Sequence, residues 1–286
     1  MKKEKLISKA NNMTFLPNHV LFNFGVVCLL SFNFTLSLNL NLKPITILPS
    51  DLNENSGMVY WNKKIYFIND KGNNASIYSI DTPFSGKATE IKILNLKNKD
   101  WEEMSSNSNF IFIGDIGNNK LDREEVEIYK IKKSSFIESD FRHINKIPFR
   151  YEKNTKQNCE AFVALENGFL FFTKEPNICT VYFLANQDSI AKKIGTLNTE
   201  CLITGACISN KNLHLIGYNK KGSCYLFNVS FKQTLNVGSY KMEKINLGSY
   251  NEIGQIEAIS SLNGNELIIS CESSKNNPAK LYKYTF

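Results

Sequence analysis

The sequence predicts an all-β fold, and three observations support this. A unit with several hydrophobic strands recurs at a spacing of about 40–50 residues. No stretch of twelve or more residues shows the helical period. Hydrophobic residues make up 42% of the 286 residues and charged residues 21%, which is enough for a large core. Recurring units of this kind are typical of a β-propeller, so the sequence predicts five four-stranded blades, with six blades as the alternative.

The repeat is aligned on one position, called position zero here, at the head of the first strand of each unit. The position-zero residues are Ser56, Glu102, Glu160, Thr204 and Glu257. Ten residues farther along, a hydrophobic second strand is under way in every unit, as in KIYFIND and FIFIGD. A polar turn and a short third strand with a tyrosine follow. These tyrosines are Tyr78, Tyr129, Tyr182, Tyr225 and Tyr282.

The two ends of the repeat array complement each other. The first four units show a fourth hydrophobic run, whereas the fifth stops at Phe286 after its third strand. The run KPITILP, residues 43–49, belongs to no unit. An N-terminal strand that completes the last blade would close the ring and leave no open sheet edge. The sequence therefore predicts one propeller domain over residues 43–286.

Residues 1–39 are excluded from this domain. A basic start, MKKEKLISK, precedes the mostly apolar run VLFNFGVVCLLSFNFTLSLNL. This is the layout of a signal peptide or a signal-anchor, and its interspersed Asn, Ser and Thr residues make it a poor permanent span. The alternative is a buried first pair of strands. We therefore expect a secreted or lumenal protein, attached to a membrane only if this segment is retained as an anchor.

Charge and residue usage exclude several function classes. The net charge is +7, from 34 basic and 27 acidic residues, and four Lys against one Glu in residues 1–42 supply +3 of it. The remaining +4 is spread along the chain, which argues against a nucleic-acid partner. With three His and no paired Cys/His spacing, neither a zinc site nor a Ser-His-Asp triad is predicted. Six Cys after residue 42 are compatible with disulfides, whose pairing stays open.

A shared cation would explain why acids stand at position zero, at the heads of otherwise apolar strands. The first strand of each blade lines the central channel, so the five residues should form a ring. The electrostatic repulsion between two carboxylates about 5 Å apart is roughly 3 kcal/mol at an effective dielectric constant of about 20. A divalent cation bound between them removes this repulsion. Ligands that are all oxygen atoms favour Ca²⁺. The alternatives are acids that share protons and a register in which Glu103 replaces Glu102.

A second polar ring is expected thirteen to fifteen residues after position zero, at the turn that follows the second strand. Candidate catalytic bases in it are Asp70, Asp115 and Glu175. Candidate ligand-binding residues in it are Asn69, Lys174, Tyr218 and Glu272. Trp101 has two interpretations, as a core residue between blades or as a ligand contact. This mixed polar rim indicates a small ligand held at the channel mouth.

Several segments resemble the soluble calcium-activated nucleotidases (apyrases) and uncharacterised secreted bacterial propeller proteins. These segments are ENSGMVYWNKKIYFIND, DWEEMSSNSNFIFIGDIGNN, CEAF, TGACIS and QIEAIS, and the likeness spans residues 43–286. It implies five blades and an axial Ca²⁺ held by a Ser, Glu, Glu, Ser, Glu set. In this chain that set falls on Ser56, Glu102, Glu160, Thr204 and Glu257, with Thr in place of the second Ser. The paired acids of the first unit become Asn69-Asp70, and the phosphate-gripping basic residues have no match.

Three functions remain open at this point. The first is a Ca²⁺-binding propeller whose axial pocket takes a small anionic ligand such as a phosphate ester, with or without hydrolysis. The alternative is a non-catalytic module with a structural Ca²⁺ that binds a protein or glycan partner, because fold alone does not decide function. A six-bladed calcium lactonase or esterase is a third interpretation. The acid ring and the rim favour the first.

Overall fold

The computed structural model describes residues 42–84, 86–230, 240–275 and 277–286. The predicted signal or anchor over residues 1–39 lies outside the described residues and stays a prediction. Within the described ranges, every helix is too short or too polar to cross a lipid bilayer.

Twenty strands account for most of this part of the chain. The first and innermost strands of the units are β2 (Asn55–Trp61), β6 (Trp101–Ser106), β10 (Cys159–Leu165), β14 (Leu202–Ser209) and β18 (Ile256–Asn263). The second strands are β3 (Lys64–Asn69), β7 (Phe110–Asp115), β11 (Gly168–Thr173), β15 (Asn212–Tyr218) and β19 (Glu266–Cys271). The third strands are β4 (Ser76–Asp81), β8 (Val126–Lys132), β12 (Ile178–Ala185), β16 (Ser223–Val229) and β20 (Lys280–Thr285). The outer strands are β5 (Thr89–Lys92), β9 (Asn145–Tyr151), β13 (Ile190–Asn198), β17 (Met242–Ser249) and β1 (Leu42–Ile47).

These strands form five antiparallel four-stranded units, called blades 1 to 5 in the chain order of their innermost strands. Blades 2 and 3 also share a short parallel pairing between β9 and β13. Blade 5 is completed by β1, which pairs antiparallel with β20. Each innermost strand packs against the innermost strand of the next blade, and β18 packs against β2. The ring is therefore closed, and the predicted all-β propeller is confirmed.

The core lies between the blades rather than inside any one of them. Five clusters of buried apolar side chains occupy the five interfaces between neighbouring blades. Trp101 is fully buried in the cluster between blades 1 and 2, where its ring lies 5.7 Å from that of Tyr129. Apolar residues on both faces of each blade explain why the strands read as nearly continuous hydrophobic runs. The core interpretation of Trp101 is the one that the structure shows.

Helical structure is confined to short connections. Helix α1 (Lys133–Glu138) follows β8, and α2 (Tyr250–Ile253) joins β17 to β18. Ser249 and Glu252 form a capping box at the start of α2, and Gly254, with a φ of 86°, ends it. Neither helix reaches twelve residues, in agreement with the missing helical period.

The six cysteines of the described chain are free thiols, and five of them are buried. Within the described ranges no disulfide forms, so the pairing that the sequence left open has no counterpart there. Burial raises the pKa of Cys159 to about 12 and that of Cys201 to about 11. These thiols are therefore core residues and not nucleophiles.

Candidate axial cation site

Each position-zero residue is the extra residue of a β-bulge in its innermost strand. In blade 1, Asn55 pairs with Asn69 and Gly57 pairs with Ile68, so that Ser56 has no partner across the ladder. The same shift occurs in the other four blades. It falls at Glu102, Glu160, Thr204 and Glu257. A bulge re-aims one side chain out of the sheet, and its position in blade 2 selects Glu102, not Glu103, for the ring.

All five position-zero side chains are buried at the same end of the innermost strands. The Ser56 hydroxyl donates to the carbonyl oxygen of Trp101 at 2.8 Å. The Thr204 hydroxyl donates to the carbonyl oxygen of Ile256 at 2.7 Å. Both acceptors directly precede the position-zero residue of the next blade. The two hydroxyl groups therefore fasten neighbouring blades together, while the three glutamates bring charge to the same region.

A cluster of acidic groups surrounds these glutamates and is called the acid cluster below. Its members are Asp70, Asp100, Glu102, Glu160, Glu257 and Glu272, and Lys71 and Lys174 are the basic groups in contact with it. Burial, followed by repulsion from Glu160, raises the pKa of Glu102 well above its usual value. Burial also raises the pKa of Glu257 well above its usual value, although Lys174 opposes this. Six carboxyl groups against two amines leave the cluster short of positive charge.

Lys174 supplies the positive charge on the side of the cluster that contains Glu160 and Glu257. Its ammonium group contacts the Glu160 carboxylate, and its side chain is 16% exposed. The same ammonium lies 5.8 Å from the centre of the Tyr218 ring, within cation–π range. Burial disfavours the charged amine, but Glu257 and Glu160 outweigh burial and raise the pKa of Lys174. Lys174 is therefore charged and held among the acids at neutral pH.

Asp70, Asp100 and Glu102 form the other side of the cluster. One carboxylate oxygen from each lies within 4.8 Å of the other two. Lys71 forms an ion pair with Oδ1 of Asp100 at 2.8 Å. In contrast, Oε1 of the buried Glu102 has no hydrogen-bond partner. A buried carboxylate oxygen without a partner carries a large desolvation cost, which a bound cation would remove.

A glycine from the long loop of blade 2 covers these oxygens. A Cβ atom on Gly117 would lie 2.1 Å from Oε1 of Glu102 and 2.6 Å from Oδ2 of Asp100. The Arg123 guanidinium holds the loop by donating to the carbonyl oxygen of Gly117 at 2.7 Å. The Asn118 N–H donates to the side chain of Asn158 in blade 3 at 2.8 Å. Only a residue without a side chain fits beside the two carboxylates.

Two of the three predicted catalytic bases lie outside the acid cluster. Asp115 is fully buried and forms an ion pair with Arg123 at 2.7 Å, and the Tyr129 hydroxyl donates to it at 3.2 Å. Glu175 is exposed and accepts hydrogen bonds from the hydroxyls of Thr173 at 2.8 Å and Thr180 at 3.3 Å. Both carboxylates are engaged within their own blades. Their contacts do not favour the catalytic roles predicted for them, whereas the third candidate, Asp70, belongs to the cluster.

The four predicted ligand-binding residues divide in the same way. Lys174, Tyr218 and Glu272 lie in or beside the cluster. Asn69 is buried, and its amide donates to the carbonyl oxygen of Asp51 at 2.7 Å. A single offset separates the two groups: Asp70, Lys174 and Tyr218 stand fourteen residues after position zero, and Glu272 has the same place after a one-residue insertion. Successive strand residues face opposite sides of a sheet. Of the three predicted offsets, thirteen to fifteen residues after position zero, only the fourteenth therefore faces the cluster.

The residues two positions before position zero also contact the acid cluster, and the sequence analysis did not predict this. Asp100 joins the cluster from this place. In blade 5, the Gln255 amide donates to the Glu257 carboxylate. In blade 3, the Asn158 amide lies 3.4 Å from Oε1 of Glu160. The recurrence of Asp, Asn and Gln at one offset is a sequence signal that could have identified them.

Glu103 closes the channel below the cluster. Its Oε1 accepts the Met104 N–H at 2.9 Å and its Oε2 accepts the Ala206 N–H at 2.9 Å. The Met58 N–H donates to the same carboxylate. Burial raises the pKa of Glu103 well above its usual value, and these N–H groups oppose that rise. At the same offset the other blades have only small residues, which are Gly57, Ala161, Gly205 and Ala258. Glu103 is therefore the one long side chain at this offset of the five blades.

We expect the ion-free protein to lose stability as the pH rises from about 5 to 7. Burial is the main cause that raises the pKa of Glu272 from 4.5 to about 7, and the pKa values of Glu160 and Glu257 move in the same direction. The folded state then binds protons that the unfolded state has released, so stability falls through this window. Melting temperatures in a chelator at several pH values measure the slope.

The matched control for this titration is Glu272→Gln, which should flatten the slope relative to the unchanged protein. The comparison also cancels the opposite contribution of buried His214, whose pKa is lowered by burial. An equal or steeper loss of stability in Glu272→Gln would contradict the assignment.

Comparisons with known proteins support the fold but assign no function. No protein-family model matches the chain, and no curated protein matches it. Among solved structures, the PQQ-bound form of aldose sugar dehydrogenase from Streptomyces coelicolor is similar with a TM-score of 0.51 and 8% identity, covering 85% of this chain and 97% of that chain. An engineered GH43 glycoside hydrolase has a TM-score of 0.52 and 6% identity, covering 83% of this chain and 51% of that chain. At such identities the similarity shows the propeller fold alone.

Proposed function

We propose that this chain is a Ca²⁺-binding β-propeller whose acid cluster holds the ion at one end of the ring. The observation that carries the proposal is the excess of buried carboxyl groups together with the partnerless Oε1 of Glu102. Buried like charges destabilise the fold unless they are neutralised. Two amines can balance at most two of the six carboxylates of the cluster, and a divalent cation would balance two more.

The donor set favours calcium over softer metals. Every candidate ligand atom of the cluster is a carboxylate or hydroxyl oxygen, and in the described ranges no imidazole or thiol belongs to it. Hard oxygen donors suit Ca²⁺ or Mg²⁺, and a flexible set of many carboxylates suits Ca²⁺ better. The candidate ligands are the residues of the predicted ring and their acidic neighbours. They are Ser56, Glu102, Glu160, Thr204 and Glu257, with Asp70 and Asp100 beside Glu102.

A small anionic ligand, the predicted second component, could bind only after the ion. The unneutralised cluster repels anions, so a phosphate ester needs the bound cation as its partner. The ion would supply charge stabilisation to a phosphoryl oxygen. Asp70 is half-buried and its pKa is raised, chiefly by burial. Of the three predicted bases it alone belongs to the acid cluster, which supports it as the proton acceptor near such a ligand.

The experiment is a calorimetric titration of the purified protein with Ca²⁺. In addition, the melting temperature is measured with Ca²⁺ and with a chelator. We expect saturable binding and a higher melting temperature with Ca²⁺. Glu102→Gln should weaken binding, while Glu266→Gln, a matched change in the half-buried pair with Lys283 far from the cluster, should not. Protein that binds no Ca²⁺ and melts identically with chelator would refute the proposal.

Hydrolysis is a separate arm of the same experiment. Nucleoside di- and triphosphates are incubated with the protein, with and without Ca²⁺, and released phosphate is measured. Calcium-dependent release that Asp70→Asn abolishes at a Ca²⁺ concentration that still saturates the variant would support a phosphohydrolase. No release across the panel would leave a Ca²⁺-binding propeller without this activity.

The second candidate function is a non-catalytic module with a structural Ca²⁺ that binds a protein or glycan partner. The engagement of Asp115 by Arg123 and of Glu175 by Thr173 favours it, because two of three predicted bases are not free. In that case chelation lowers the melting temperature, yet Asp70→Asn changes no measured activity. Secretion, which would give such a module access to external partners, remains part of this proposal.

A further inference from the structure

The acid cluster has two sides that differ in how their charge is balanced, and this difference bears on where a cation would bind. On one side, Glu160 contacts the ammonium of Lys174 and Glu257 accepts from the Gln255 amide. On the other side, Glu102 has an oxygen without any partner. A ring-centred ion would have to compete with Lys174 for Glu160, whereas an ion beside Glu102 would not.

We infer that the divalent cation binds off the ring axis, between Asp70, Asp100 and Glu102, and that Lys174 is the resident cation of Glu160 and Glu257. The inference rests on the proposed function, since it assigns the ligands of that same site. It differs from the five-residue ring predicted from the sequence. Only Glu102 belongs to both sets.

Two independent observations support the off-axis position. One oxygen from each of the three acids lies within 4.8 Å of the other two, which is the spacing of atoms that share one ion. Moreover, the Glu102 oxygen without a partner lies next to the Asp100 carboxylate, because both surround the same point above Gly117. Lys71 uses only Oδ1 of Asp100, so Oδ2 is available to an ion.

The loop of blade 2 completes the wall of this off-axis site. Gly117 packs directly on the Glu102 and Asp100 carboxylates, and its φ is not in the left-handed region that favours glycine. Backbone conformation therefore does not require glycine at this position, whereas the space beside the two acids does. A methyl group there would push the carboxylate oxygens apart without changing any charge.

The decisive experiment compares Asp100→Asn with Glu257→Gln in calorimetric Ca²⁺ titrations. Each variant replaces one carboxyl group with an amide, but Asp100 belongs only to the off-axis set and Glu257 only to the ring. We expect Asp100→Asn to weaken binding at least roughly tenfold and Glu257→Gln to weaken it by less than about threefold, the effect of one charge at a distance. The reverse order would overturn the inference while leaving the Ca²⁺-binding function intact.

Gly117→Ala provides a second variant in which every acid is retained. We expect a loss of Ca²⁺ affinity of at least roughly tenfold, measured at a temperature at which circular dichroism shows that the variant is folded. Gly86→Ala, where nothing lies within 4 Å of the added Cβ, is the matched control. Unchanged affinity in Gly117→Ala would contradict the position of the ion beside this loop.

Lys174→Met tests the other half of the inference. Without the amine, Glu160 and Glu257 lose their counter-charge, so the melting temperature in chelator should fall, and added Ca²⁺ should restore it. An unchanged melting temperature in chelator would show that Lys174 is not the resident cation. If the unchanged protein binds no divalent ion, the proposed function and the off-axis ion are both refuted, while this measurement still decides the role of Lys174.

Discussion

Glu103→Ala is expected to lower the free energy of unfolding by about 3–5 kcal/mol. The Glu103 carboxylate accepts N–H groups from Met58, Met104 and Ala206, which belong to three different blades. Its removal leaves three backbone donors near the axis without an acceptor, and each such buried group costs about 1–3 kcal/mol, less where water can enter. Urea unfolding followed by circular dichroism measures the change.

Two further variants make this test specific. Glu103→Gln keeps one acceptor oxygen and should lose less stability than the alanine variant. Glu124→Ala, at a side chain that is 70% exposed, should change stability by no more than about 0.5 kcal/mol. If Glu103→Ala proved as stable as Glu124→Ala, the carboxylate would not be a structural link between the blades.

Arg123→Met should cost about 3–5 kcal/mol, the usual cost of removing one partner of a buried ion pair. Asp115 is fully buried, and Arg123 donates both to its carboxylate at 2.7 Å and to its carbonyl oxygen at 2.9 Å. Without the guanidinium, the Asp115 carboxylate keeps only the Tyr129 hydroxyl at 3.2 Å and the Lys99 N–H at 3.4 Å. Denaturant unfolding of the purified variant gives the loss directly.

A double variant separates the buried charge from the lost packing. Asp115→Asn in the Arg123→Met background should recover part of the stability, because it removes the unpaired charge. Arg142→Met, which breaks an ion pair whose arginine is 80% exposed, should have no measurable effect. Equal losses in Arg123→Met and Arg142→Met would mean that burial of the pair contributes nothing.

The fold was largely predictable from the sequence because its signals are local. Alternating and continuous hydrophobic runs at a regular spacing indicate strands, and one offset repeated five times indicates equivalent blades. The free strand at residues 43–49 indicated how the ring closes, and β1 does pair with β20. The acids at position zero were also predictable, since Glu102, Glu160 and Glu257 share that offset.

The site was only partly predictable, as Asp70 and Asp115 illustrate. Both stand at the end of the second strand of their unit, one residue apart in offset, and both were predicted to act as a catalytic base. Asp115 is the last residue of β7 and pairs with Arg123 of the same blade, whereas Asp70 lies just past β3 and reaches the cluster. A shift of one residue reverses the face of a strand, and an alignment of offsets without coordinates did not resolve it.

The sequence by itself determined the repeat, the strand order and which acids stand at the strand heads, because each depends on neighbours along the chain. Only the tertiary structure decided that Lys174 neutralises Glu160, that Glu103 links three blades and that Gly117 covers Glu102. The Glu103 contacts join three blades, with Ala206 103 residues away along the chain, so their distances depend on the closure of the ring. The other two contacts each lie within one blade, but they depend on which way a side chain or a loop turns at the end of a strand. No local pattern encodes either arrangement.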